Sequence, residues 1–253
     1  MYFASMSRIV NRSKQDDMKM TLKRALKGTF LGLALVSLPA GVFGAEDLSS
    51  LLEKTRPEAK EIITNPAILR ESKLPQLPIN SRQIEFLIDH PDVALALAHI
   101  YAPFLDNYRV EVRPDHLIHI LDPGNLAGDA ELIDARPGRR VYFITGYFNI
   151  FKIRFTGQMV LMTRYSEQKE NAAVSVEATT TAYIKIDSSF AGVFARLADY
   201  LFPRKVDERI ERFLRAAEAV SVAVHQEPAA AYSKLKASGE VSAEELEEFD
   251  RTF

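Results

Sequence analysis

The stretch KIRFTGQMVLMTRYSEQKENAAVSVEATTTAYIKI, at residues 152–186, decides the fold. Its apolar side chains recur at every second position, for example at Phe155, Met159 and Leu161. A period of two places alternate side chains on opposite faces of a β-strand. The polar run from Glu167 to Asn171 interrupts the alternation. The stretch therefore predicts two antiparallel strands joined by a short turn, each with one buried face.

The same alternation extends upstream as far as Asp106. It predicts further strands near residues 108–113, 117–121, 126–135 and 139–148. The turn sequences between them, Asp122-Pro-Gly-Asn and Pro137-Gly138, are short, which favours an antiparallel meander over parallel crossovers. We therefore predict an antiparallel sheet of about six or seven strands, with one apolar face and one face exposed to water.

Helical periodicity flanks the predicted sheet on both sides. Short helices are predicted around residues 84–101, after a capping box formed by Asn80 and Gln83. Beyond the last strand, apolar residues recur at helical spacing from Phe190 to Val224, and Pro203 is predicted to split this helix. The apolar stripe of the helix needs a partner, and the inner face of the sheet has the matching size. The predicted fold class is therefore α+β.

A basic region, an apolar run and a small-residue cleavage site follow one another near the N-terminus, which is the order of a signal peptide. The basic residues are Lys23, Arg24 and Lys27, and the apolar run spans residues 29–38. That run is too short for a helix that crosses a bilayer. Cleavage is predicted near Gly44, either directly after it or one bond later. The mature protein is predicted to be periplasmic or otherwise exported.

Four segments follow from these features. Residues 1–44 are the leader and signal peptide, with translation predicted to start at Met18 or Met20. Residues 45–73 are a helical extension, 74–228 are the main sheet-and-helix domain, and 229–253 are an acidic helical tail. The run of charges in the tail predicts a solvated surface.

Composition and motifs exclude several classes of function. The chain has 253 residues, no cysteine and a formal net charge of -2. These values exclude disulfides and thiol chemistry, and they do not favour binding to nucleic acid. The histidines show no metal-binding spacing, since His116 and His119 would point to opposite faces of a strand. No nucleophile elbow or phosphate loop is present, so no catalytic residue, metal or cofactor is predicted.

The order of elements resembles that of the START-like (SRPBCC) helix-grip superfamily, which includes lipid-transfer domains, polyketide cyclases and pollen-allergen-like proteins. The resemblance covers residues 74–227 and rests on the element order, the glycines at Gly124 and Gly128, and the helix that begins near Gly192. It implies a curved sheet gripping a long C-terminal helix, with an apolar cavity between them. The signal peptide and residues 45–73 are not part of that pattern.

Small residues on the predicted inner face leave two alternatives open. The helix either approaches closely and fills the space, or a cavity remains for an apolar guest, and the resemblance favours the cavity. The candidate ligand-binding residues are Tyr108, Val110, Phe143, Tyr147, Phe155, Gly157, Met159, Leu161, Thr180, Phe213 and Ala217. Tyr108, Tyr147 and Tyr165 are candidate polar anchors, because a buried tyrosine hydroxyl needs a hydrogen-bond partner.

The leading hypothesis is a periplasmic binding or carrier protein for a lipid-like or other hydrophobic small molecule. A cyclase- or hydrolase-like enzyme is an alternative, which a cluster of His119, Asp129 and Tyr147 on one cavity wall would favour. A structural or interaction module of an envelope complex is another, with the membrane surface or an envelope protein as its partner. The absence of catalytic motifs favours a function without catalysis.

Overall fold

The computed structural model describes residues 51–114, 117–123, 125–150, 153–170, 173–187 and 191–253. For Ile150, Ile153 and residues 191–205 it describes the backbone alone. The predicted signal peptide lies outside the described residues.

Seven strands form one antiparallel sheet; the alternation predicts six of them, and the seventh, β1, lies in the segment 45–73, for which the prediction of a helix is wrong at residues 68–73. They are β1 (Ile68–Lys73), β2 (Arg109–Val112), β3 (Ile118–Asp122), β4 (Leu126–Arg136), β5 (Arg139–Ile150), β6 (Ile153–Glu170) and β7 (Ala173–Ile186). Their order across the sheet is β1-β7-β6-β5-β4-β3-β2. Strands β2 to β7 thus form the predicted meander, and β1 adds to its free edge by pairing with β7.

Six helices surround the sheet in the part of the chain that the structure describes. They are α1 (Pro57–Thr64), α2 (Ser81–Asp89), α3 (Pro91–Tyr101), α4 (Ala191–Gln226), α5 (Pro228–Ser238) and α6 (Ala243–Thr252), and a 3-10 turn spans Pro103–Leu105. The predicted capping box of α2 is present, since Asn80 and Gln83 each accept a hydrogen bond from the backbone N–H of the other. None of these helices is both long and apolar enough to cross a bilayer.

The long helix α4 is continuous over 36 residues and runs through Pro203. The predicted split is therefore wrong. A proline inside a helix removes one backbone hydrogen bond and tends to kink or break the helix. Beyond the proline, however, Ala216, Val220 and Val224 are buried and anchor the helix by tertiary packing.

The sheet curves around α4, and both sides of the sheet reach the helix. Arg70 on β1 pairs with Asp207 (Nε to Oδ1, 2.9 Å), and Asp122 on β3 faces Arg209 (Oδ2 to Nη1, 3.6 Å). In a flat sheet these strands, five positions apart, would be separated by about 24 Å. Their partners are two positions apart on one helix, so both sides of the sheet reach the same short stretch of α4. We call the face toward α4 the inner face and the opposite one the outer face.

A row of glycines marks the bend. Gly128, Gly146 and Gly157 lie opposite one another on β4, β5 and β6. A Cβ atom on Gly146 would lie 2.7 Å from the Cα atom of Gly128 and closer still to the carbonyl oxygen of Ala127. On Gly128 it would lie 2.9 Å from the carbonyl oxygen of Thr145. Backbones approach this closely only where no side chain stands between them, so these glycines allow the sheet to fold toward α4.

The outer face is covered by the N-terminal extension. Helix α1 packs against β6 and β7, and its Ile62 is completely buried. Arg56, which precedes α1, lies over the ring of Phe143 at 4.7 Å. On the same face Val160 and Met162 are 0 % and 1 % exposed. The prediction that this face is exposed to water is therefore wrong under α1, where apolar residues from outside the predicted domain cover it, and it holds at Arg154 and Thr156, which are exposed.

An apolar core lies at one end of the inner face. There the helices α2 to α6 meet the parts of β6 and β7 that carry Tyr165 and Val176. Leu235 of α5 and Phe249 of α6 are 0 % and 1 % exposed. The acidic tail thus contributes to this core, and its solvated surface consists of charged side chains such as Glu244. The α+β class, with a curved sheet around a long C-terminal helix, is confirmed.

Candidate ligand-binding site between the sheet and the long helix

The middle of the inner face is not completely covered. On the central strand β6, the inner-face residues Met159, Leu161 and Thr163 are all partly exposed. Val160 and Met162, which alternate with them on the outer face, are almost completely buried. Close-packed protein interiors leave few voids as large as a water molecule. Exposure under a spanning helix therefore indicates open space between the inner face and α4.

Neighbouring strands continue this partly exposed surface. Ile144 on β5 lies opposite Met159, and Thr180 on β7 lies opposite Thr163, with 3.2 Å between the two threonine hydroxyls. Phe155 on β6 lies opposite Phe148 on β5, and the two rings stack at 5.4 Å. We call the following set the inner patch: Ile144, Phe155, Gly157, Met159, Leu161, Thr163 and Thr180.

The wall opposite the inner patch is an apolar stripe of α4. Asp207 and Arg209 contact opposite sides of the sheet. Successive residues are about 100° apart around the helix axis, so these two side chains leave α4 in nearly opposite directions. The side of α4 between these two directions therefore faces the sheet, and it carries Val206, Ile210 and Ala217. These three side chains are partly exposed as well. Both walls are thus apolar, and neither is fully buried by the other.

Phe213 lies at the margin of the same stripe, with 42 % of its surface exposed. Its ring meets the ring of Tyr108 edge to face, with 5.0 Å between the centroids. Tyr108 itself is only 2 % exposed. Burial raises the pKa of Tyr108, the charge of Arg209 lowers it, and the charge of Asp122 raises it. Tyr108 thus lies next to charged side chains at the margin of the space, and its role as a polar anchor stays a prediction.

A network of polar side chains closes the end of the inner face next to α2. The Arg140 guanidinium on β5 donates two hydrogen bonds to Asp89 of α2, at 2.8 and 2.7 Å, and a third to the hydroxyl of Tyr165 at 2.8 Å. The Tyr165 hydroxyl in turn donates to Glu85 at 3.0 Å. Burial, and then the bond to Glu85, raise the pKa of Tyr165. The buried charge of Arg140 is therefore compensated within the protein.

The strand register separates the predicted ligand-binding residues into groups. Phe155, Gly157, Met159, Leu161 and Thr180 lie together on the inner face, and Phe213 and Ala217 lie on α4 above it. Tyr108 lies beside Phe213. Val110 of β2 belongs to the inner face by its register, but it lies at the far edge of the sheet, outside the inner patch. The two predicted residues of β5 lie on the other face.

Phe143 and Tyr147 were both expected on the inner face, and the structure places them on the outer face. Phe143 lies opposite Val160, and Tyr147 lies opposite Thr156, on the side covered by α1. Tyr147 stacks against Arg154, with 4.0 Å from the guanidinium carbon to the ring centroid. Both faces of β5 are apolar, so alternation does not distinguish them. For the same reason the sequence did not identify Ile144, which occupies the position on β5 that was assigned to Phe143.

Val110 lies away from the inner patch, in a separate cleft of about 540 Å³. The cleft is formed by one side of α3, the strand β2 and the connection between α5 and α6. It is lined by Asp92, Leu95, Ala96, His99, Asp106, Arg109, Val110 and Glu240. The mixture of charged and apolar side chains distinguishes this cleft from the inner patch.

The cluster that would favour an enzyme is on the outer face. His119 Nδ1 lies 2.7 Å from Asp129 Oδ1, which also lies 3.5 Å from Arg113. Asp129 and Tyr147 belong to the face opposite the inner patch. The His119–Asp129 pair exists, but it is not on a wall of the space between the sheet and α4. The expected support for the enzyme alternative is therefore absent.

Solved structures with a similar fold include distant neighbours of this chain. No protein-family model matches the chain, and no curated protein matches it. A conserved protein from Geobacillus kaustophilus has 11% identity and a TM-score of 0.42 over 63% of this chain and 98% of its own. Ara h 8.0201 has 10% identity and a TM-score of 0.39 over 62% and 98%. Norcoclaurine synthase from Thalictrum flavum has 12% identity and a TM-score of 0.39 over 63% and 94%.

The chain itself has the helix-grip arrangement. Its strand order, its curvature and the two contacts of the sheet with α4 define this arrangement. At identities of 10–12% the neighbours share the fold of this chain and indicate neither its ligand nor its activity.

Proposed function

We propose that this domain binds a hydrophobic small molecule between the inner patch and α4. The observation that carries the proposal is the partial exposure of Met159 and Leu161 in the middle of a curved sheet that a helix spans. Apolar walls that do not fill the space between them are the usual form of a small-molecule site. A guest would cover apolar surface that the protein alone leaves open to water.

The chemistry of the walls favours a ligand that is mainly hydrocarbon. The side chains of the inner patch are aliphatic, aromatic, thioether or hydroxyl groups, and none is charged. The hydroxyls of Thr163 and Thr180 bond to each other and can reorient toward one polar group of a guest. Methionine adapts its shape to irregular partners, so Met159 tolerates variation in the ligand. A lipid-like molecule with one polar group fits these walls.

The proposal is tested by extraction and by a binding assay. The purified protein, extracted with organic solvent, is expected to release a co-purified apolar molecule detectable by mass spectrometry. After delipidation, the protein is expected to bind the fluorescent fatty acid cis-parinaric acid. An empty extract together with no saturable fluorescence change would refute the proposal.

A pair of neighbouring substitutions assigns the binding to the inner face. Thr180 lies on the inner face and Thr179 on the outer face, and both are partly exposed. In Thr180→Trp the indole occupies the space next to Leu161 and is expected to abolish probe binding. Thr179→Trp adds the same side chain to the other face and is expected to bind the probe as the unchanged protein does. Equal loss in both variants would place the probe elsewhere.

Export, a carrier function and membership of the START-like superfamily are part of the same proposal. A periplasmic carrier is supported by the N-terminal signal pattern and by apolar walls suited to a lipid. N-terminal sequencing of the protein recovered from a periplasmic fraction tests the first part. A mature N-terminus at Ala45 or Glu46 is expected, and an intact chain in the cytoplasmic fraction would contradict export.

A further inference from the structure

Three potential metal ligands from two distant parts of the chain meet beside the cleft. His90 lies between α2 and α3, Asp92 lies in the first turn of α3, and Glu245 lies in the first turn of α6. One ligand atom from each lies within 4.8 Å of the others. Sequence spacing predicts no metal site here, because Glu245 joins the two N-terminal residues through the fold alone.

The three side chains are held in place by their neighbours. The His90 ring stacks on Phe86, with 4.5 Å between the ring centroids, and its Nε2 lies 3.4 Å from a carboxylate oxygen of Glu248. Asp92 accepts a hydrogen bond from the backbone N–H of Val93 at 3.0 Å. Glu245 accepts from the backbone N–H and the hydroxyl of Ser242, at 2.9 and 2.6 Å. The ligand set is therefore preorganised by supporting contacts.

Two of these groups are carboxyls that contact each other. The carboxylate oxygens of Asp92 and Glu245 lie within 4.8 Å of each other. Two carboxylates this close gain from a cation placed between them. The pairing thus creates a position that suits a divalent cation. This observation is independent of the presence of the histidine.

The cluster also has access to the solvent. Asp92 is part of the lining of the 540 Å³ cleft, so a cation beside it is reached from the cleft. Three protein ligands leave at least one coordination position for water or for a group of a bound molecule. The walls of the cleft do not include the inner patch.

We propose that His90, Asp92 and Glu245 bind one divalent cation of the zinc type at the wall of this cleft. The proposal goes beyond the binding of a hydrophobic molecule and does not depend on it. One imidazole and two carboxylates suit zinc and neighbouring transition metals. Magnesium and calcium prefer larger sets of oxygen ligands, so they are expected to bind weakly here. The cation would fasten α6 to α3.

The first test is a calorimetric titration of Zn²⁺ into metal-stripped protein at neutral pH. One Zn²⁺ per chain is expected to bind, and His90→Gln, Asp92→Asn and Glu245→Gln are each expected to weaken the affinity at least about tenfold. His99→Gln and Glu244→Gln are the matched controls, from the same cleft and the same helix turn, and both are expected to retain wild-type affinity. No saturable binding, or equal losses in trio and control variants, would overturn the proposal.

A second measurement needs no variant. In a spectrum that resolves the ring nitrogens of the five histidines, Zn²⁺ is expected to shift the signals of His90 and leave those of His99 and His225 in place. Shifts confined to another histidine would overturn the assignment. Mg²⁺ added in place of Zn²⁺ is expected to leave the spectrum unchanged, and a response equal to that of Zn²⁺ would overturn the assigned metal class.

Discussion

Adding a methyl group to the glycine row is expected to destabilise the bent sheet. In Gly146→Ala the new Cβ would lie 2.7 Å from the Cα atom of Gly128 and closer still to the carbonyl oxygen of Ala127. Both are backbone atoms, so no flexible side chain can move aside. Relief requires β4 and β5 to separate by about 1 Å, and overpacking of this kind costs about 3 kcal/mol. Replacing glycine by alanine also lowers the conformational entropy of the unfolded chain, which stabilises the folded state by about 0.4–1 kcal/mol.

The expected net loss is therefore about 2 kcal/mol. Gly128→Ala is the matched control in the same row, since its new Cβ has one close neighbour, the carbonyl oxygen of Thr145 at 2.9 Å, and its next contacts are ordinary. Its expected loss is at most about 1 kcal/mol. For a domain of this size, 2 kcal/mol corresponds to a fall in Tm of about 4–8 °C.

The assay is equilibrium unfolding in urea, followed by far-UV circular dichroism, because the chain contains no tryptophan. The midpoint of Gly146→Ala is expected to fall clearly below that of Gly128→Ala. Two variants of equal stability, or a Gly146→Ala protein as stable as the unchanged one, would refute the conclusion that the close approach of these strands sets the curvature.

Three further outcomes test the packing around the site. Asp89→Asn leaves the Arg140 charge without its partner, and because Asp89 is partly solvated the free energy of unfolding in urea is expected to fall by about 2 kcal/mol. Asp207 belongs to an exposed ion pair, so Asp207→Asn is expected to lower it by less than about 1 kcal/mol. Phe249→Ala is expected to cost about 3–5 kcal/mol by emptying the core beneath the acidic tail, and a loss below 1 kcal/mol would mean that the tail is not packed. Burial raises the pKa of Tyr142 from 10.0 to about 12, so between these pH values the folded state keeps a proton that the unfolded state loses. The free energy of unfolding is therefore expected to fall as the pH rises from 10 to 12, by up to about 1.4 kcal/mol per pH unit. Tyr142→Phe is expected to reduce this slope.

The alternation of apolar and polar residues was sufficient to predict strands β2 to β7 of the sheet. The predicted strands agree with β2 to β7 because each has a turn signal at its ends and a period of two within it. It also predicted correctly which residues of β6 belong to the inner face, among them Met159 and Leu161. Strand β5 was different, because Phe143 and Ile144 are both apolar and belong to opposite faces. Only the register of β5 against β6 shows which of the two residues faces α4.

Burial could not be predicted from strands alone. Val160 and Met162 are covered by α1, a segment that resembles a charged extension in the sequence. The glycine row and the cluster of His90, Asp92 and Glu245 could not be predicted from the sequence for the same reason. Their members are brought together by strand register or by the docking of α6, which no local pattern reports.

The central claim is that open space separates the inner face from α4, and the stability of Thr180→Trp tests it most directly. In open space the indole gains apolar burial, so the free energy of unfolding is expected to be equal to that of the unchanged protein or higher. In a filled core the same residue would overpack the interior and lower that free energy by about 1–3 kcal/mol. A loss of that size, with Thr179→Trp unaffected, would contradict the account.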